Sequence, residues 1–202
     1  DKLMRSVKVV PFRVREGDDA SCLNLNKAQR PVLCAVNPAV LAQRDAFSGG
    51  DWHLLLPTSP PSAASEPIPA IADQATAQWG LGKGIGDVIT YTDSQGRDFP
   101  VRLVALLAGS VLQGKVIISE ADFLARYPDA AGYDFFLIDA PPDQTAEVRQ
   151  HLTRQLEARG LALEPAADRL AAFNAVQNTY IGIFTVLGGL GVLLGTAGLG
   201  VL

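Results

Sequence analysis

The feature that most constrains this chain is its uncharged C-terminal segment. From Leu170 to Leu202 the sequence contains no charged residue, and from Tyr180 onward it is almost wholly apolar. A helix needs about 20 apolar residues to cross the hydrocarbon core of a bilayer. A surface helix of a soluble protein, by contrast, keeps one polar face. The segment therefore predicts a transmembrane helix at residues 180–202, with a lipid bilayer as its partner.

The residues just before this span have a mixed character. Polar Asn174, Gln177 and Asn178 are interspersed with apolar residues, which predicts that the helix begins before the membrane. We expect a stalk helix at residues 166–179, continuous with the span. A rigid helix transmits motion between a bilayer and an external domain better than a flexible linker does.

Small residues recur within the predicted span. Gly191 and Gly195 have the GxxxG spacing, and Gly188 and Gly198 add two further small positions. These four glycines are our candidate positions for packing against another transmembrane helix. A glycine-rich stretch can also produce this spacing by chance, and both interpretations stay open.

The overall composition excludes some functions and leaves others open. A formal charge of -4 argues against nucleic acid as a partner, because phosphate binding needs clustered Lys and Arg. The chain begins with Asp1 and no signal segment opens it, so we expect a fragment or a processed form. Cys22 and Cys34 are too few for a disulfide scaffold; they could form one bridge or stay unpaired.

Upstream of the apolar segment, strand and helix patterns alternate. Strands are predicted at 3–14, 31–36, 68–72, 87–92, 99–107, 115–119, 134–139 and 161–164. Helices are predicted after Asn37, at 72–81, from Ser119 to about Tyr127 and from Asp143 to Arg159. The prolines and serines of residues 48–67 predict a long surface loop. This order indicates an α+β domain over residues 1–165, a mixed sheet with helices on one face.

Several local patterns set the ends of these elements. Asn37 before Pro38 is typical of a helix N-cap with proline at the first helical position. Ser119 and Asp122 form an S-x-x-D capping pattern. Gly80 or Gly82 is expected to close the helix at 72–81, and Pro11 to interrupt the first strand or place it at a sheet edge.

Sites for catalysis, cofactors and metals are not recognisable in the sequence. The run GLGKGIGD from Gly80 to Asp87 lacks the Lys-Ser or Lys-Thr ending of a phosphate-binding loop, so we interpret its glycines as turn residues. His53 and His151 have no accompanying triad or HExxH motif. Adjacent Asp18 and Asp19 supply too few oxygens for calcium. We therefore predict no catalytic residue, no cofactor and no metal.

Family resemblance enters at the C-terminal segment. The order Tyr180, Phe184, Leu187-Gly188-Gly189, Leu194-Gly195-Thr196 and Gly198 resembles the entry into the membrane core of FtsX-like ABC transporter permeases. The runs GKGIGDVITYTD, VRLVALLAGSVLQGKVIISEADF and FFLID are more loosely similar to the MacB-like periplasmic core domain of such permeases. The run GDDASCLNLN resembles a loop of larger members of this family. The similar stretches cover residues 17–36 and 68–202.

The resemblance implies a fold of the periplasmic core domain type and a place in the inner membrane of a cell. It implies that residues 1 to about 175 lie on the extracytoplasmic side. The expected partners are a cytoplasmic ABC ATPase subunit, other permease helices or a second permease copy. Such a permease subunit is itself non-catalytic and couples ATP hydrolysis to export or extraction of a hydrophobic or lipid-linked substrate.

Two other functions stay open at this stage. The chain could be a single-pass membrane-anchored sensor or ligand-binding module whose helix dimerises through Gly191 and Gly195. It could also be an anchored extracytoplasmic enzyme, although the sequence offers no recognisable nucleophile, metal cluster or acid–base pair.

Overall fold

Two units make up the chain, Asp1–Arg159 and Gly160–Leu202. The computed structural model describes residues 3–17, 30–44, 47, 49–56 and 66–199, and for part of the last helix it describes the backbone alone. Cys22, Asp18 and Asp19 lie outside the described residues. The pairing of Cys22 with Cys34 and the interpretation of the two aspartates therefore stay predictions.

A seven-stranded mixed sheet forms the centre of the first unit, in the order β4-β5-β3-β6-β2-β1-β7. The strands are β1 Lys8–Arg15, β2 Val32–Val36, β3 Ile68–Asp73, β4 Val88–Thr92, β5 Asp98–Leu107, β6 Lys115–Ser119 and β7 Phe135–Asp139. The pairs β2–β6 and β3–β5 are parallel, and the other neighbours are antiparallel. The prediction of an α+β mixed sheet with helices is confirmed.

Apolar side chains cover both faces of this sheet. Along β2, Leu33 and Ala35 belong to one buried cluster and Cys34 and Val36 to the other, because successive residues of a strand point to opposite faces. Helix α2 (Glu120–Arg126) adds Phe123 to the first cluster. Helix α1 (Pro38–Ala42) and the 3-10 turn Trp52–Leu55 add apolar residues to the second. The expectation of helices on one face alone is wrong.

A β-bulge lets strand β5 serve both clusters. Its register against β3 shifts between Ala70, which pairs with Leu103, and Ile71, which pairs with Ala105. Leu103 lies in the first cluster and Ala105 in the second. An extra residue on one strand changes which face the following side chains occupy. The bulge thus accounts for the placement of Leu103 and Ala105, two residues apart, in different clusters.

The predicted helix caps are confirmed. Asn37 Oδ1 accepts a hydrogen bond from the Ala39 amide at 3.1 Å, with Pro38 opening α1. Ser119 Oγ accepts one from the Asp122 amide at 3.1 Å at the start of α2. These bonds satisfy amides that the first turn of a helix leaves without a partner.

The structure corrects the sequence prediction for Pro11 and the first strand. The chain opens with a 3-10 turn at Leu3–Arg5, and β1 begins at Lys8, later than predicted. β1 is not an edge strand, because it pairs with β7 over Lys8–Phe12 and with β2 over Arg13–Arg15. At Pro11 only β7 pairs with it, which suits a residue with no amide hydrogen to donate.

Two further predictions are corrected, one at the end of the first unit and one at the start of the second. Helix α3 spans Thr145–Leu156 and is followed by a 3-10 turn, so it begins two residues after Asp143. Residues 161–164, predicted as a strand, have no regular structure. A short apolar–polar alternation indicates a strand only where a neighbouring strand is available to pair with it.

The second unit consists mainly of helix α4, Ala166–Leu199. Its 34 residues correspond to about 51 Å at 1.5 Å per residue. The backbone is helical throughout this range. The predicted division into a stalk at residues 166–179 and a transmembrane helix at residues 180–202 stays a prediction. Arg169 near its start forms an ion pair with Glu164 at 3.0 Å.

Candidate functional site

The loop between β3 and β4 carries the most exposed large apolar residue of the described chain. After Asp73, a π-helical turn spans Thr76–Leu81 and is closed by Gly82 in the left-handed conformation at φ 65°. The sequence predicted a helix here and gave Gly80 or Gly82 as its end, and the structure selects Gly82. We call residues 76–87 the Trp79 loop.

Hydrogen bonds hold the Trp79 loop in one conformation. Asp73 Oδ1 accepts from the Ala75 and Thr76 amides at 2.9 and 3.3 Å. The Lys83 amide donates to the Ala77 carbonyl at 2.8 Å. Asp87 Oδ2 accepts from the Gly84 amide at 2.7 Å. The loop is thus pre-organised, which lowers the entropy that a binding partner would have to overcome.

Two apolar side chains project from this loop into solvent. Trp79 is 86% exposed and Ile85 is 66% exposed. Leu81 lies between them in the sequence and packs against the first buried cluster, which contains Phe123 of α2. Ala77 is fully buried in the same cluster. The loop is therefore anchored by two side chains and presents two others. Exposed tryptophan is often a central contact in protein interfaces.

The same loop does not form a cradle for phosphate. The Lys83 and Gly84 amides are engaged as described, and the Gly86 amide donates to the Leu103 carbonyl at 2.7 Å. A phosphate-binding loop needs such amides to point at the anion. The hydrogen bonding supports our interpretation of GLGKGIGD as a structural turn.

The predicted helix-packing glycines all lie in α4. Around Gly188 and Gly191, an added Cβ would meet no atom within 4 Å, so both offer open space. Gly195 and Gly198 occupy backbone positions of α4 whose surroundings lie outside what the structure describes. The prediction that another helix packs on this face stays untested.

Helix α4 presents large apolar side chains around its circumference. The exposed ones are Ile183, Phe184, Val186, Leu187, Leu190 and Val192. Ile183, Val186, Leu187 and Leu190 share one face at i, i+3, i+4 and i+7 spacing. At 100° per residue, Phe184 and Val192 lie away from that face, so the exposed apolar surface extends beyond a single stripe. Among the described residues, no other element has as many exposed large apolar side chains.

No helix within the described residues is long and apolar enough to cross a membrane. Of the predicted span 180–202, residues 180, 181, 193–195 and 197–202 lie outside the described side chains.

The sheet itself offers a smaller exposed surface at the β7 edge. Val9 of β1 and Phe136 of β7 are each about two-fifths exposed. They lie on one face, because Val9 pairs with Ile138 and Pro11 with Phe136. Beside them, the Arg13 guanidinium lies 4.5 Å from the Tyr133 ring centre and bonds Glu120 at 2.8 Å. Most of the remaining sheet is covered by the two buried clusters.

The side chains considered for chemistry are separate from this surface. His53 Nδ1 lies 3.1 Å from Asp51 Oδ1 in an exposed turn, and His151 lies on α3. Among the described residues, no three His, Cys, Asp or Glu side chains are grouped so as to hold a metal ion. Cys34 is fully buried, and that burial raises the pKa of its thiol to about 11, which disfavours the reactive thiolate.

The comparison with solved structures found a weak structural likeness. No protein-family model and no curated protein matches the chain. Among solved structures, it is similar to the crystal structure of the periplasmic region of MacB from Actinobacillus actinomycetemcomitans. The identity is 9% and the TM-score 0.39, over 75% of this chain and 66% of that one. The match thus spans just under two thirds of that chain, and a likeness this weak concerns the fold alone.

Proposed function

We propose that this chain is the extracytoplasmic domain and adjoining transmembrane helix of an ABC transporter permease subunit. The observation that carries the proposal is the apolar, exposed circumference of α4. In water, six large exposed apolar side chains on one helix are unfavourable, at roughly 25 cal/mol per Å² of apolar surface. A bilayer or a bundle of membrane helices would remove that cost.

The composition of α4 also supports a membrane environment. Its glycines weaken a helix in water, whereas glycine is more frequent in transmembrane helices than in soluble ones. The charged residues of α4, Asp168 and Arg169, both lie in its first turn. The resulting order is a polar start followed by an apolar span, as expected for a stalk that continues into a membrane.

In this proposal the sheet domain and residues to about 175 face the extracytoplasmic side of the inner membrane. ATP hydrolysis takes place on a cytoplasmic partner subunit, and this chain is non-catalytic. The continuous backbone of α4 provides the mechanical link, because a helix carries displacement along its axis. The substrate class is hydrophobic or lipid-linked, as the family resemblance implies.

Insertion of α4 tests the observation on which the proposal depends. Leu187→Arg places a charge within the apolar span, which costs about 3 kcal/mol on insertion scales. The full protein encoded by its own gene should stay in the membrane pellet after alkaline carbonate extraction, and the variant should be partly released. Ala167→Arg, at the polar start of α4, is the matched control. Release of the unchanged protein would contradict the proposal.

A second candidate is a single-pass sensor or ligand-binding module. The open space at Gly188 and Gly191 favours it, because small residues on one helix face permit close dimerisation. Both candidates require membrane insertion, so the carbonate experiment does not separate them. An associated ATPase distinguishes the permease from the sensor.

A further inference from the structure

We propose that the Trp79 loop docks into an apolar pocket, bordered by carboxylates, on a partner protein. The inference goes beyond the transport proposal, since it uses only residues of the sheet domain. It would hold for a permease or for a sensor.

The first argument is the shape and rigidity of the loop. Trp79 and Ile85 project from a segment fixed by backbone hydrogen bonds and by the buried Ala77. A convex, rigid pair of apolar side chains is complementary to a concave site. Burial of an indole in such a pocket is a typical dominant contact in protein interfaces.

The second argument comes from two glycines that the fold does not require. Gly82 and Gly86 adopt positive φ, at 65° and 94°, and need glycine for that reason. Gly80 and Gly84 do not adopt positive φ, and a Cβ would meet no atom within 4 Å at Gly80 and only Asp87 Oδ2, at 4.0 Å, at Gly84. Their missing side chains leave room beside Trp79 and Ile85 for a partner surface to approach closely.

The third argument is charge. Lys83 lies between the two projecting residues, and exposed Arg102 on β5 is the pairing partner of Val88 at the base of the loop. The nearby carboxylate of Asp87 is engaged by the Gly84 amide. The apolar residues are thus accompanied by two cations and one carboxylate, and the excess of positive charge complements a pocket with an acidic border.

The Trp79 loop lies at one end of the sheet. Lys8 at the start of β1 pairs with Asp139 at the end of β7, so the sheet connects to its flanking segments at one end. Following the register across the sheet, the end of β3 and the start of β4 lie at the opposite end. The Trp79 loop therefore projects from the end of the sheet away from those connections.

Photo-crosslinking from position 79 tests the proposal in intact cells. A benzophenone amino acid replaces Trp79 in the full protein, and the matched control replaces Gln95, an exposed residue of the β4–β5 turn at the other end of the sheet. Because both positions are exposed, neither replacement should disturb folding; equal melting temperatures verify this. We expect a protein adduct from position 79 and none from position 95.

Reversal of the charge at Lys83 tests whether the crosslinked protein contains the proposed pocket with an acidic border. Lys83→Glu should lower the adduct yield about tenfold, because a carboxylate would then face carboxylates, whereas Lys83→Arg should preserve it. The crosslinked peptide of the partner should contain apolar residues flanked by Asp or Glu. Adducts with phospholipid, equal yields from positions 79 and 95, or a protein adduct insensitive to Lys83→Glu would each overturn the proposal.

Discussion

At the scale of single residues, Asp93 shows how one side chain fixes a turn. Its carboxylate is almost fully buried and accepts hydrogen bonds from the Gln95 and Arg97 amides at 2.8 and 2.9 Å. The Arg97 guanidinium adds an ion pair at 2.9 Å. The sequence predicted strands at 87–92 and 99–107 on either side of this turn. It could not show that Asp93 is buried, because burial depends on the packing around the hairpin.

These contacts predict an acid-sensitive hairpin. The hydrogen bond from the Arg97 amide, followed by that from Gln95 and by the guanidinium, lowers the pKa of Asp93 despite its burial. A lowered folded-state pKa stabilises the protein above about pH 4. That stability is lost as the pH falls toward the lowered pKa. Asp93→Asn should therefore reduce the melting temperature at pH 7. The melting temperature of this variant should also decline less between pH 5 and pH 3 than that of the control variant Asp129→Asn. A parallel decline in both variants would contradict this account.

Burial of Cys34 predicts an unreactive thiol. Removal from solvent raises its pKa to about 11, so at pH 8 the thiolate is a very small fraction. In a Cys22→Ser variant, Cys34 is the one remaining cysteine of the sequence. A thiol reagent such as DTNB should leave it unlabelled in the folded protein and label it fully in denaturant. Rapid labelling of the folded variant would place Cys34 at the surface, contrary to the structure.

At the scale of elements, helix starts were the features most predictable from sequence. Asn37 and Ser119 were identified because capping depends on a few neighbouring residues. The side-chain oxygen of each accepts the expected amide hydrogen bond. By contrast, the two partners of β1 and the bulge in β5 depend on which strands meet in space. Residues 161–164 illustrate the same limit, because their alternation has no strand to pair with.

The Ser119 cap should make a measurable contribution to stability. Ser119→Ala removes the acceptor for the Asp122 amide and should lower the free energy of unfolding by about 1 kcal/mol. Ser119→Gly should recover most of that loss, since glycine is itself a tolerated N-cap. Urea unfolding of the three proteins measures both values. Equal losses for alanine and glycine would indicate that the hydroxyl serves packing and not capping.

The Trp79 loop shows what sequence reasoning missed at this scale. The pattern from 72 to 81 predicted a helix, and nothing in it marked Trp79 as exposed. A signal was present, because a tryptophan beside four glycines in WGLGKGIG has few local side chains to bury it. The exposure of Trp79 follows from the packing of Ala77 and Leu81 against the sheet, which is not evident from the sequence.

At the scale of the whole molecule, the chain combines a mixed sheet packed on both faces with a long helix rich in exposed apolar residues. The fold class was predictable, because strand and helix patterns alternate along the first 160 residues. The packing of apolar residues on both faces of the sheet was not predictable. Helix α1 and the Trp52–Leu55 turn are short, and the face on which they lie cannot be inferred from the sequence. The proposed function depends on assembly with other chains, which the fold of one chain does not determine.

Co-purification tests the central proposal most directly. The full protein encoded by its own gene is solubilised from membranes in detergent, purified through an affinity tag, and assayed for ATP hydrolysis with whatever accompanies it. We predict recovery of a nucleotide-binding subunit in fixed stoichiometry, with ATPase activity that is lost when its phosphate-binding lysine is replaced. Recovery of the protein with no ATPase subunit or domain would contradict the transporter proposal and favour the anchored sensor.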